Sequence, residues 1–232
     1  MRATQYIAHM WKRLLKVLIA CLLVSVTATA LAQKKIPPVV KTPQIVEAVR
    51  LNTQGMELFE AGDYEGAARA HSRALELFEK ALGPDHLAVG NSLNRLGAIA
   101  RVRGEYARAE GLHRRAIAVI ERAEGPDSWR LTDPLNNLAL LYRLNGGYVH
   151  AAPLLERIVT VEEKSVGPNR ANNLVVALNN LAWAYRAQAE YARALTLYER
   201  ALSIVEEALR ADDGFPKPLL ATVLDNLAPL LF

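Results

Sequence analysis

The sequence predicts an all-α protein, an α-solenoid of four helical hairpins followed by one further helix. Three short motifs recur with a common step of 42 to 43 residues. The stretches between them have the length of helices, about 17 to 18 residues. Ala and Leu dominate these stretches while aromatics make up only 6% of the chain, a composition that favours helix.

The first motif is Gly62-Asp63-Tyr64, Gly104-Glu105-Tyr106 and Gly146-Gly147-Tyr148, with Ala189-Glu190-Tyr191 as a fourth copy. The second is Gly83-Pro84-Asp85, Gly125-Pro126-Asp127 and Gly167-Pro168-Asn169. The third is Leu93-Asn94-Arg95-Leu96, Leu135-Asn136-Asn137-Leu138 and Leu178-Asn179-Asn180-Leu181, echoed by Leu224-Asp225-Asn226-Leu227. A fixed period of this size is the mark of a repeat protein. Each unit reads as helix A, a Gly-x-Tyr turn, helix B and a Gly-Pro-Asp turn. Gly83, Gly125 and Gly167 are expected to close helix B in the left-handed conformation. The prolines that follow stop it. Asp85, Asp127 and Asn169 are then expected to cap the next helix A. Small residues recur where helices must approach: Gly55, Gly97, Ala139 and Ala182 on helix A, then Ala67, Ala109, Ala151 and Ala194 on helix B. A second helix B set is Ala74, Ala116 and Ala201, with Ile158 breaking it. Tyr64, Tyr106, Tyr148 and Tyr191 are expected to fill the space between repeats.

This small-and-large pattern resembles the tetratricopeptide repeat family. The 42-residue period, Leu178-Asn179-Asn180-Leu181-Ala182 and Gly83-Pro84-Asp85-His86 resemble its kinesin-light-chain type. The resemblance covers residues 44–232, with repeats at about 44–84, 85–126, 127–168 and 169–212 and a terminal helix at 216–232. It implies a right-handed superhelix in which helix A lines a concave groove. The departures are Ile158, Ala189 in place of the turn glycine, and His71 and His113 at a site usually apolar or aromatic.

The segments before the repeats read differently. Residues 1–32 have the form of a secretory signal peptide: basic Arg2, Lys12, Arg13 and Lys16, an uncharged run, then Ala30-Leu31-Ala32 as a cleavage site. An uncleaved membrane anchor is the alternative. A lipoprotein reading at Cys21 is disfavoured, because the apolar run continues well past it. Cutting after Ala32 would leave no cysteine, which suits an oxidising compartment. The protein is therefore expected to cross the inner membrane and reside in the periplasm. Residues 33–43 form a proline-rich linker. The four leader cations account for the whole net charge of +4, so no basic surplus remains for a nucleic-acid partner.

No nucleophile elbow, zincin motif, phosphate loop or dinucleotide fingerprint is present. The reading is therefore a non-catalytic protein with no cofactor and no metal. His71 and His113 occupy equivalent sites and are expected to pack between helices. Glu162-Glu163 and Glu206-Glu207 are expected to lie on solvated faces, since adjacent helix positions diverge.

Helix A carries the candidate site. Asn94, Ala98 and Arg101 share one helical stripe, as do Asn136, Leu140 and Arg143, then Asn179, Trp183 and Arg186. Asn137 and Asn180 flank it, as does Asn226 in the terminal helix. The resemblance places this stripe in the groove. It also implies that asparagines there hold the backbone of a bound peptide. The Arg forks suit carboxylates, and Trp183 suits an apolar anchor. Repeat one has Asn52, Met56 and Phe59 instead, so the groove should be more apolar at that end. The expected partner is a protein or peptide segment with acidic residues. Two competing readings remain: the asparagines and arginines serve only the scaffold, or the apolar C-terminal helix drives self-association or envelope assembly.

Overall fold

The computed structural model describes residues 42–165, 170–210 and 217–230. The leader at 1–32, the linker up to residue 41, Gly167 and Asn169 lie outside the described residues. The described chain is all-α, without strands. Its elements in order are α1 (Pro43–Glu60), α2 (Tyr64–Leu82), α3 (Leu87–Val102), α4 (Tyr106–Glu124), a 3-10 turn (Trp129–Leu131), α5 (Thr132–Leu144), α6 (Tyr148–Lys164), α7 (Arg170–Ala187), α8 (Tyr191–Arg210) and α9 (Lys217–Leu227). A second 3-10 turn, Ala228–Leu230, contains Pro229.

Helices α1, α3, α5 and α7 each pair with the helix that follows, and each even-numbered helix packs on the next odd-numbered one. The helices meet where the sequence is small. Ala67, Ala109, Ala151 and Ala194 are at most 1% exposed. Two glycines of helix A lie directly against histidine rings of helix B. A Cβ on Gly97 would stand 2.6 Å from the His113 ring, and one on Gly55 would stand 2.7 Å from His71. Helix B sites equivalent to these histidines hold Leu155 and Tyr198, and the facing helix A residues there are Ala139 and Ala182. Glycine thus occurs with histidine, and alanine with leucine or tyrosine.

Several local expectations are corrected. Gly83 and Gly125 do have positive φ, but with ψ of 160° and 172° they lie in an extended region that is nearly exclusive to glycine, not in the left-handed helical one. Asp85 and Asp127 do not cap the next helix. His86 Nδ1 accepts from Ala88 N (3.1 Å), and Ser128 Oγ accepts from Arg130 N (3.2 Å). The aspartates instead reach forward to the end of the next helix B, Asp85 to Arg122 (2.7 Å) and Asp127 to Lys164 (3.0 Å). Repeat three begins helix A late, because Trp129–Leu131 forms a 3-10 turn and α5 keeps only 13 residues. Tyr106 and Tyr191 stay exposed, whereas Tyr64 packs on Phe59 and Tyr148 on Trp183. Glu162 is not solvated. It is 1% exposed and accepts from Thr132 Oγ1 (2.5 Å), at a site where the other repeats place Phe78, Ile120 and Val205.

The B helices are laced by a regular ionic ladder. Glu79 pairs with Arg115, Glu121 with Arg157 (2.5 Å) and Glu163 with Arg200 (2.6 Å), each pair joining one repeat to the next. The pairs are partly exposed, so each contributes only about 0–1 kcal/mol.

Turn geometry yields a first prediction. Gly62, Gly104 and Gly146 make the A-to-B turn at φ of 82°, 77° and 72°, and Ala189 makes it at φ 61°. A left-handed residue with a Cβ costs roughly 1–2 kcal/mol, while glycine carries an entropic cost of about 0.5–1 kcal/mol. Ala189→Gly is expected to raise stability by about 0.5–1 kcal/mol, read as a higher urea midpoint with an unchanged slope.

Candidate binding face

The A helices present one side to a row of clefts. The first, about 110 Å³, lies between α1, α2 and α3 and is walled by Met56, Phe59, Ala98 and Ile99, with His71 and Arg95 among its lining. Its lining thus mixes apolar side chains with the charged Glu60 and Arg95. The second, about 350 Å³, lies between α3 and α5, with the Trp129 turn at its edge. The third, about 110 Å³, lies between α5, α6 and α7 and brings together Asn136, Leu140, Arg143, Asn180 and Trp183. There Arg143 stands 5.2 Å from the centre of the Trp183 ring, and Tyr148 meets that ring edge-on.

The asparagines form a chain of side-chain bonds between neighbouring A helices. Asn137 Nδ2 donates to Asn94 Oδ1 (3.1 Å), Asn180 Nδ2 to Asn136 Oδ1 (3.4 Å) and Asn226 Nδ2 to Asn179 Oδ1 (3.0 Å). In each rung the asparagine at the third position of one motif ties back to the asparagine at the second position of the motif before it. Because Arg95 in repeat two occupies the place of Asn137, Asn180 and Asn226, the ladder does not reach repeat one. Asn52 there takes His71 alone, with Nδ1 of the ring 2.7 Å from Asn52 Oδ1; His113 Nδ1 meets Asn94 Oδ1 at 2.9 Å.

Both histidines are almost wholly buried, at 1% and 0% exposure. Desolvation pushes each down to about 4, and the positive charges of Arg95 near His71 and Arg101 near His113 add to the shift. Both rings are thus neutral near neutral pH. His113 Nε2 is buried without a partner.

The arginines divide sharply. Among the described residues, every arginine pairs with an acid or a backbone carbonyl except Arg95, Arg101, Arg143 and Arg186. All four belong to helix A. The competing expectation, that the Arg stripe serves the scaffold by pairing with nearby acids, is not met.

Of the sequence-derived candidates, Asn136, Arg143, Asn180 and Trp183 line the third cleft, and Asn94 and Asn137 line the second. Asn179 is 8% exposed and serves the Asn226 rung. Arg101 and Arg186 are half-buried and line none of these three clefts. Sequence reasoning missed Arg95, Trp129 and Asp133. Arg95 was findable as the one arginine in a column of asparagines. Trp129 and Asp133 were not, because the 3-10 turn that places them breaks the repeat. Among the described residues no cluster of three His, Cys, Asp or Glu could hold a metal, and no helix is long and apolar enough to cross a membrane.

The tetratricopeptide repeat signature matches residues 48–122, 89–161 and 130–207. The chain belongs to the tetratricopeptide repeat family. Such repeats mediate protein–protein interaction. Similar solved structures include BtubC (BKLC) from P. vanneervenii, at 22% identity and TM-score 0.67, covering 77% of this chain and 69% of that one. A putative kinesin light chain from Podosopora anserina with nearly identical TPR-like repeats aligns at 21% identity and TM-score 0.66, covering 82% of this chain and 87% of that one. A single-substitution form of that protein aligns at 20% identity and TM-score 0.67 with the same coverage. At these identities the likeness concerns the fold. No curated protein matches the sequence. In this tetratricopeptide domain the asparagines do scaffold work, and the arginines are left over.

Proposed function

We propose that this protein is a non-catalytic scaffold that holds an extended segment of another protein along its A helices, in the cell envelope. The observation that carries the reading is the segregation of free guanidinium groups. Ion pairs run through the described residues from Glu47–Arg50 to Glu206–Arg210, yet Arg95, Arg101, Arg143 and Arg186 join none of them. Repeated cations without partners favour a segment that supplies carboxylates. The third cleft adds an indole and two amides, Asn136 and Asn180, each with hydrogen-bonding capacity left after their shared bond. Exposed charge pairs contribute little, so apolar contact with Trp183, Leu140, Met56 and Phe59 would supply much of the affinity.

The test avoids the asparagines, because replacing them would also cut the ladder. Photo-crosslinking residues at Leu140 in the third cleft and at Thr196 on α8 are introduced into otherwise wild-type protein. Attachment sites in captured proteins are then read by mass spectrometry. Position 140 is expected to yield stretches rich in Asp and Glu, and position 196 is not. In a folded R101Q/R143Q/R186Q variant, capture at position 140 should fall at least tenfold, the loss of roughly 1.4 kcal/mol. Equal capture by both proteins would remove the arginines from the reading.

Self-association is the second reading, and one observation favours it. Leu93, Leu135 and Leu178 are at most 1% exposed, but the equivalent Leu224 on α9 is 43% exposed. If that face pairs copies, deleting residues 216–232 should convert a dimer to a monomer by sedimentation. A wild-type monomer would dismiss it.

A further inference from the structure

The second cleft, between α3 and α5, carries both signs of charge and shares Arg95 with the first, which also holds Glu60. Arg95 and Asp133 both line it, and among the described residues neither has an ion-pair or hydrogen-bond partner. They do not pair with each other. Arg95 stands where three other motifs carry a ladder asparagine, so it has left the scaffold. Asp133 is held in the first turn of α5, where the helix dipole favours a carboxylate. Trp129 is 39% exposed at the same cleft, with the Arg130 guanidinium 4.6 Å from its ring centre on one face. Arg130 itself is engaged by Glu124.

We propose that this cleft reads a mixed-charge stretch of the bound segment, taking an acidic side chain on Arg95 and a basic side chain on Asp133. The inference rests on the A-face reading above and adds the partner's charge order. A free cation and a free anion in one cleft of about 350 Å³ cannot both be satisfied by an acidic ligand. A purely acidic segment would meet repulsion at Asp133. A segment carrying both signs satisfies each group. The open rim of the Trp129 ring gives the stem of a Lys or Arg a surface to lie on, and an indole attracts such cations. Asn91, exposed and unbonded on the same wall, can hold the intervening backbone.

The test is a selection of a random dodecapeptide library displayed on phage against the immobilised full-length chain. Wild type, Arg95→Asn, Asp133→Asn and the charge swap R95D/D133R are run in parallel, with Arg95→Gln as a second neutral variant. Circular dichroism confirms that each is helical. Asparagine at position 95 is native to the equivalent sites, so that variant should fold. Peptides selected by wild type are expected to pair an acidic with a basic residue at fixed spacing, each enriched about fivefold over the naive library. Arg95→Asn should lose the acidic enrichment alone, Asp133→Asn the basic enrichment alone, and the swap should reverse the order of the charges. If peptides are enriched but these variants leave the charge statistics unmoved, the assignment to this cleft is overturned while the A-face reading stands. If no folded form enriches any peptide over an unrelated protein, both fall.

Discussion

Gly97→Ala is expected to lower stability by about 2 kcal/mol, and adding His113→Leu is expected to return most of it. The added Cβ would sit 2.6 Å from His113 Cε1 and 2.8 Å from both ring nitrogens. The ring cannot swing away freely, because its Nδ1 is bound to Asn94, itself bonded to Asn137. Overpacking of this kind costs roughly 1–3 kcal/mol. The double variant copies repeat three, where Ala139 and Leu155 hold the same two positions and are 3% and 5% exposed. His113→Leu alone leaves space beside Gly97 and should also destabilise. The two changes should therefore couple favourably by more than about 1 kcal/mol in a double-mutant cycle, well outside additivity. Urea midpoints for the four proteins decide it. Strict additivity would mean that glycine and ring are unrelated.

That pairing shows how far the sequence carries. The period and the small residues were legible because helix packing imposes them on the chain: where two axes approach, only Gly or Ala fits, and the need returns with every repeat. Even the exchange of Gly-His for Ala-Leu can be seen once the repeats are aligned. What was not legible came from competition between local partners. Asp85 reads as a helix cap, but His86 is one residue nearer the helix and takes the amide, which frees the aspartate to bridge to Arg122. Glu162 reads as solvated beside Glu163, yet its register turns it into the core against Thr132.

The candidate site was legible in outline and not in its division of labour. Side chains on one helical stripe were recognisable from spacing alone. Whether an amide on that stripe faces a ligand or a neighbouring helix depends on the distance to the next repeat, which no single-helix pattern contains. The structure gives the asparagines at the third motif position to the scaffold. The A-helix arginines remain unpaired, while Glu79, Glu121 and Glu163 are engaged with arginines of the B-helix ladder. Segregating charge in this way leaves four unpaired guanidinium groups on the A helices of a chain that carries no basic surplus beyond its leader.

Acidification is expected to unfold the first two repeats before the last two. His71 and His113 have folded-state values of about 4 against about 6.5 for the free side chain. The native state therefore holds the neutral ring, and the unfolded chain binds the proton first. Well above pH 6.5 neither state is protonated and nothing is lost. As pH falls from about 6.5 towards about 4, each histidine should remove stability at about 1.4 kcal/mol per pH unit, approaching roughly 3 kcal/mol once both states are protonated. Two such groups acting together would remove about 6 kcal/mol, comparable with the whole stability of many domains. His71 lies between α1 and α2 and His113 between α3 and α4, while the equivalent sites further on hold Leu155 and Tyr198, neither of which gains charge in this range. Since repeats are coupled mainly to their neighbours, the loss should be local. Hydrogen exchange at about pH 4.5 should show amides of α1 to α4 opening while α7 and α8 remain protected. The G55A/H71L/G97A/H113L variant removes both titrating rings and supplies the alanine-leucine packing of repeat three. Its urea midpoint should vary far less between about pH 7 and about pH 4.5 than that of wild type. An equally steep acid response in that variant would assign the effect to carboxylates in the ionic ladder instead.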